Sequence, residues 1–234
     1  TRGDGGVKLL QSIIGDNGLE MTQTEAISQG YLCPLKFQIA TVAPMTHYAI
    51  KDPLKCKRQN FLYNIEIAKL YANIANASWN IREESTLILV EELKQIKMLV
   101  EHLKVPYAYV HSGSKKEAEK HGLEKVDLQT QVDKFNKGEV KVLIGTRAIS
   151  TGTNMYPTHN TCNFMGGSSE IITKQGPMGR STRKLEISKY KEFHKPKPFT
   201  RISDVRVEDQ PVLDNHLTKR VNYYKEAGED ISYS

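Results

Sequence analysis

The sequence predicts an α/β fold, an open and mostly parallel sheet with helices on both faces, and three observations carry that expectation. Short apolar runs bounded by glycine or polar residues recur at 86–90, 106–110, 140–144 and 162–165, each the length of a buried strand. Helix-period segments fall between them, at 92–104, from Ser114 onward, and at 126–136 with Leu128, Val132 and Phe135 inward. Strands alternating with helices of this length form a parallel sheet, because each return to the same edge needs a crossover. No internal repeat is present.

Taken in order, 1–42 has helices expected at 7–14 and 21–29 and a strand at 35–42 leading out. The longest helix is expected over 58–78, where Phe61, Ile65, Ala68, Tyr71 and Ile74 follow the helical repeat. Strand 86–90 ends in Glu91 and Glu92, like the acidic strand that accompanies a phosphate-binding loop. No G-x-x-x-x-G-K-[ST] occurs in the sequence, so the two carboxylates are assigned to the start of the next helix, where they favour its dipole. Segment 201–207 reads as an added edge strand, and 212–227 as a closing helix with Leu213, Leu217, Val221 and Tyr224 on one side.

The formal net charge of +6 on 234 residues points toward a polyanionic partner. Segment 184–201, KLEISKYKEFHKPKPFTR, concentrates it in Lys184, Lys189, Lys191, Lys195, Lys197 and Arg201, with Tyr190, Phe193 and Phe199 interleaved. Two readings stand side by side: the lining of a single-strand channel, or an extended connector as Lys-Pro-Lys-Pro suggests. No apolar run approaches the ~20 residues of a membrane span, so no membrane partner is expected. Cys33, Cys56 and Cys162 are widely spaced without C-x-x-C, which argues for reduced thiols in a cytoplasmic setting. No histidine pairs with another ligand at metal spacing, so no metal site is expected in this chain.

The chemistry concentrates in 140–183. Gly145 ends a strand, and Thr146, Ser150, Thr151, Gly152, Thr153 and Asn154 follow, small residues whose backbone N–H groups suit phosphate oxygens. After Gly166 and Gly167, Ser168 is expected to cap a helix that delivers Gly179, Arg180 and Arg183. Arginines three apart on a helix share a face, and a guanidinium spreads its charge over donors that match a phosphoryl group in transfer.

These segments resemble the superfamily 2 helicases and translocases. IGTRAISTGTN (144–154) is similar to their motif V, QGPMGRSTR (175–183) to motif VI and STLILVEEL (85–93) to motif IV. YVHSG (109–113) resembles the strand and glycine that follow motif IV, and GYLCP (30–34) the exit from the first motor domain. The flavour is that of phage UvsW-type and XPB-like repair helicases. Two positions depart from the pattern: Gly176 stands where a glutamine is usual, and Asn154 where many relatives carry aspartate.

The resemblance implies a RecA-like C-terminal motor domain at 46–200, with a linker region at 1–45 and a strand and helix extension at 201–234. It implies Arg180 and Arg183 as catalytic arginine fingers, and Gly152, Thr153, Asn154 and Gly179 around the nucleotide. Ser112, Gly113, Gly145, Thr146 and Arg147 would meet the phosphates of the strand, and the two groups of loops are expected on neighbouring parts of one rim. The implied cofactor is ATP with Mg, held mainly by an N-terminal RecA-like domain of the same protein. The other implied partner is DNA, single-stranded or branched. The chain begins at Thr1 and lacks a phosphate loop, so it is expected to be the second half of a longer enzyme, inactive alone. The competing readings are a non-catalytic nucleic-acid-binding module and a nucleotide-binding regulator.

Overall fold

The computed structural model describes residues 22–146, 149, 153–226 and 231–233; the helix expected at 7–14 lies outside them. The described strands are β1 (Leu35–Val42), β2 (Ser85–Val90), β3 (Tyr107–Val110), β4 (Val142–Gly145), β5 (Thr158–Phe164), β6 (Thr200–Val207) and β7 (Ile231–Tyr233). They form one sheet in the order β3-β4-β2-β5-β6-β1-β7, and each pairing is parallel. All strands therefore end at one rim, the C-terminal rim, and start at the other.

Segment 201–207, expected at an edge, is interior. β1 pairs with β6 along its whole length, from Leu35↔Thr200 to Val42↔Val207, and β7 adds outside β1. The segments flanking 46–200 thus supply strands to the same sheet as its centre.

The helices are α1 (Gln23–Ser28), α2 (Pro53–Cys56), α3 (Ile65–Arg82), α4 (Leu93–Val100), α5 (Lys115–Lys120), α6 (Leu128–Asn136), α7 (Glu170–Thr173), α8 (Gly179–Ser181) and α9 (Pro211–Glu226). The helix expected over 58–78 is broken. A π-helical turn, Lys57–Leu62, precedes Asn64, which leaves helical geometry and caps α3 by accepting from the Glu66 amide at 2.9 Å. Buried Asn64 also donates to the Ala43 carbonyl at 2.9 Å, a distant partner that no local pattern announces. Ser114 does cap α5: its hydroxyl accepts from the Glu117 amide at 3.3 Å, and the Glu117 carboxylate accepts from the Ser114 amide at 2.9 Å.

β2 is buried along its length and feeds two cores. Ile88 and Val90 pack with Ile67, Tyr71, Ile96 and Leu99 of α3 and α4, while Leu87 and Leu89 pack with Val132, Phe135 and Leu143 on the other face. This period-two division covers both faces, as a parallel sheet requires.

β5 begins at Thr158, four residues before the apolar run that predicts it. Its polar residues are buried and bonded to neighbouring elements: Asn163 donates to the Asp204 carboxylate at 3.3 Å, and the Thr161 and Ser181 hydroxyls lie 2.5 Å apart. Asp204 of β6 also holds Arg220 of α9 through two bonds, at 2.6 and 2.9 Å, and accepts from the Tyr224 hydroxyl at 2.7 Å. Arg220 donates in turn to the Gly167 carbonyl at 2.5 Å, fixing the loop between β5 and α7. All three cysteines are free and buried.

Candidate functional site

A cleft of about 560 Å³ opens at the C-terminal rim beyond β2, β3 and β4. Ser112, Gly113 and Thr146 line it together with Glu91, Glu92 and Lys94. Ser112 is exposed, and the Thr146 amide continues the ladder by donating to the Val110 carbonyl at 3.2 Å. Gly145 lies beneath the cleft. A Cβ there would stand 1.6 Å from Ile149 Cδ1, so glycine is what lets the loop fold back over the strand end. His111 is a packed residue, its Nε2 3.1 Å from the Glu124 carbonyl.

The acidic wall of the cleft is held by cations. Lys57 Nζ meets Glu91 at 2.5 Å, Arg58 meets Glu92 at 2.8 Å, and the Tyr63 hydroxyl donates to Glu92. Burial pushes the Glu92 carboxyl up, but the Tyr63 and Arg58 bonds outweigh it and hold it below its usual range. Gln95 fixes the start of α4: its side-chain oxygen accepts from the Glu91 and Glu92 amides, each at 2.9 Å.

The arginines form a separate cluster. Arg180 of α8 is half-buried and donates from Nη1 to the Thr153 carbonyl at 3.0 Å, while its buried Nε makes no hydrogen bond. Burial and then the charge of Arg183 push its pKa below the ordinary value. Thr153 is tied down by its hydroxyl, which donates to the Ile149 carbonyl at 3.0 Å. Asn136 donates to the Asn154 carbonyl at 2.9 Å, and the exposed Asn154 side chain donates to the Tyr156 hydroxyl at 3.1 Å. A π-helical turn, Lys174–Met178, leads into α8, and a Cβ on Gly179 would stand 2.9 Å from the Lys174 carbonyl oxygen. The wide turn closes on glycine because a side chain would strike its backbone.

Several expectations are corrected. Ser169, not Ser168, caps α7: its hydroxyl accepts from the Ile172 amide at 3.4 Å and its carbonyl from the Thr173 amide at 3.0 Å. Arg180 and Arg183 do not share a helix face. α8 ends at Ser181, and Arg183 enters an antiparallel bridge with Leu32, while the Cys33 amide donates to the Thr182 carbonyl at 2.7 Å. Pairing with the 30–34 segment captures the chain before another helical turn can form. The Arg183 guanidinium is exposed and bonds to no described residue. Arg147 and Gly152 lie outside the described residues.

The two clusters also occupy different ends of the sheet. From Thr153 the chain descends to the start of β5 at Thr158, and Arg183 lies beside Leu32, ahead of β1. The 184–201 segment spans this same N-terminal rim, away from the cleft. Lys195 pairs with Glu83 at 2.9 Å, and Lys197, one of the cations that concentrate in this segment, is fully buried. Among the described residues, no group of three or more His, Cys, Asp or Glu is placed to hold a metal ion. No helix among them is long and apolar enough to cross a membrane.

An open, parallel α/β sheet with helices on both faces is a RecA-like fold. Residues 65–183 match the family described as helicase conserved C-terminal domain, and the chain belongs to that family. No curated protein sequence matches the chain.

Among solved structures, it is similar to a putative HsdR subunit of a type I restriction enzyme from Vibrio vulnificus YJ016, with TM-score 0.62, 14% identity, and coverage of 100% of this chain and 42% of that one. It is similar to S. cerevisiae Dbp5 bound to RNA and ADP BeF3, with TM-score 0.52, 12% identity, and coverage of 100% and 49%. T4 UvsW gives TM-score 0.53 and 12% identity, with coverage of 86% and 41%. The chain thus spans less than half the length of each of these proteins. At such identities the likeness is one of fold.

Proposed function

We propose that this chain is the second motor domain of an ATP-dependent DNA helicase or translocase, of the UvsW-like and XPB-like kind, acting in the cytoplasm in repair, recombination or replication-fork processing. A first RecA-like domain of the same protein holds most of ATP and its Mg. This chain lends Arg180 and Arg183 to the phosphates, with Gly152, Thr153, Asn154 and Gly179 at the nucleotide's edge. Ser112, Gly113, Thr146 and Arg147 meet the backbone of a DNA strand, over Gly145.

The observation that carries the reading is the pair of arginines: one guanidinium with a buried, unbonded Nε, the other exposed, and neither paired with a carboxylate among the described residues. That donor set fits an anionic phosphoryl group and offers nothing to a metal ion. When bound, ATP supplies the phosphoryl group that passes to water. The guanidiniums stabilise the charge that spreads over its oxygens, an effect of roughly 10³ to 10⁵ in rate where arginine fingers act.

In the full-length protein, Arg183→Ala is expected to lower DNA-stimulated ATP turnover by about 10² or more, with a smaller effect on KM. Near-normal turnover would remove the motor reading and leave the non-catalytic binding module. The isolated chain is expected to fold and to hydrolyse no ATP, and parallel assays with single-stranded DNA and RNA decide which nucleic acid stimulates.

A further inference from the structure

Lys197 stands between Pro196 and Pro198 in a charged segment, yet its side chain is fully buried. Its ammonium donates to the carbonyls of Tyr156 at 3.1 Å, Ser181 at 2.8 Å and Arg183 at 2.6 Å. Three protons meet three acceptors on two pieces of chain: the entry to β5, and the stretch that runs from the last residue of α8 to Arg183. Lys197 forms no salt bridge among the described residues, although burying a charge without a counter-ion costs several kcal/mol by desolvation.

The neighbouring groups complete the cradle. The Thr200 hydroxyl donates to the Ser181 carbonyl at 2.8 Å or to that of Thr158 at 3.1 Å, and the Thr182 carbonyl accepts from the Cys33 amide at 2.7 Å. The carbonyls of residues 181, 182 and 183 are thus all engaged, and the exposed guanidinium of Arg183 is what the cradle leaves free.

We propose that Lys197 is a positioning residue for Arg183, its ammonium fixing the backbone from which the guanidinium leaves the sheet. The inference rests on the reading of Arg183 as the group that meets the transferring phosphate. A finger displaced by about 1 Å can lose on the order of 10²-fold in rate, so a rigid anchor is worth its desolvation.

Burial pushes the Lys197 amine down to about 8. Cys33 and Glu186 are the ionisable groups that act on it in the opposite sense, and Lys197 itself pushes His159 down. A neutral amine keeps two protons for three carbonyls, so the anchor loosens above that pH.

The test is ATP turnover by the full-length protein carrying Lys197→Met, Thr200→Val, Arg183→Ala or Lys197→Met with Arg183→Ala, with the unfolding midpoint of each. Lys197→Met is expected to lower kcat about ten- to a hundred-fold while KM for ATP moves less than about twofold. The double variant should be no slower than Arg183→Ala, because the two losses act through one group. Thr200→Val should show a smaller loss of the same kind, and wild-type turnover should fall as pH rises through about 8, a limb that Arg183→Ala lacks. If Lys197→Met does not fold, Thr200→Val and the pH limb decide: both flat overturns the inference. Losses that multiply in the double variant, with Arg183→Ala itself slow, overturn this inference alone. An Arg183→Ala protein with wild-type turnover overturns the finger reading and this inference with it.

Discussion

The two rims of the sheet carry similar residues and use them in opposite ways. At the C-terminal rim, Lys57 and Arg58 neutralise the carboxylates of a concave cleft and leave Ser112 exposed at its mouth beside Gly113, with Thr146 buried in its lining. At the N-terminal rim Arg183 stays exposed, whereas cations of the 195–201 stretch are engaged: Lys197 is enclosed by carbonyls, Lys195 pairs with Glu83, and Arg201 meets Glu84 at 2.7 Å. The more basic stretch of sequence lies at the rim without the cleft. Composition therefore locates charge along the chain but not in space, and the placement of a strand's phosphates has to be argued from concavity and exposure.

The largest effect that separates the rims is expected from Arg180→Ala, which should cost about 10² to 10³ in turnover while leaving the affinity for a single strand and its salt dependence unchanged. A parallel loss of strand affinity would merge the two clusters into one site. Next comes stability. Arg220→Ala leaves Asp204 buried without its partner and is expected to cost about 3–5 kcal/mol in denaturant unfolding, against less than about 1 kcal/mol for Lys195→Ala at the surface. Equal losses would mean that the N-terminal rim is more than an exposed ion pair.

A smaller effect sharpens the nucleic-acid assignment. Ser112→Glu puts a carboxylate in the cleft and should weaken strand binding about tenfold at low salt, whereas Lys195→Ala should change neither the affinity nor the log-log salt slope, about −0.7 per phosphate contact. If Lys195→Ala shallows that slope and Ser112→Glu does nothing, the strand runs along the other rim.

The smallest effect is in pH. Glu92, held below its usual range, contributes stability above the unfolded carboxylate pKa of about 4.3 that is lost as pH falls through its lower folded value. Lys197 is the reverse case: its folded value of about 8 lies below that of a free lysine, so its penalty is full below pH 8 and fades as pH rises above it. Unfolding midpoints of Glu92→Gln and Lys197→Met against pH should differ from wild type in these two windows. A Glu92→Gln curve parallel to wild type through the acid limb would remove the Tyr63 and Arg58 bonds from the account of the cleft wall.

What could be read from the sequence is what short-range chemistry controls. β1 lies at Leu35–Val42 where the strand is expected, the helix expected from Ser114 starts on that residue's cap, and the helix expected over 126–136 starts two residues later because Asp127 caps it, accepting from the Thr130 amide at 2.8 Å. The alternation of strands and helices was enough for a parallel sheet, and the loop and arginine motifs for the family. The rest depended on partners far away in the chain. Thr158 to Asn163 became a buried strand because Ser181 and Asp204 satisfy its polar groups, and the 58–78 helix broke because Asn64 found Ala43. Arg183 left its helix because Leu32 offered a bridge, and Lys197 is buried while Lys195, with the same proline neighbour, is exposed. A buried polar group is stable only where its acceptors converge, and convergence of Tyr156, Ser181 and Arg183 on one ammonium is a property of the folded sheet that no local pattern contains.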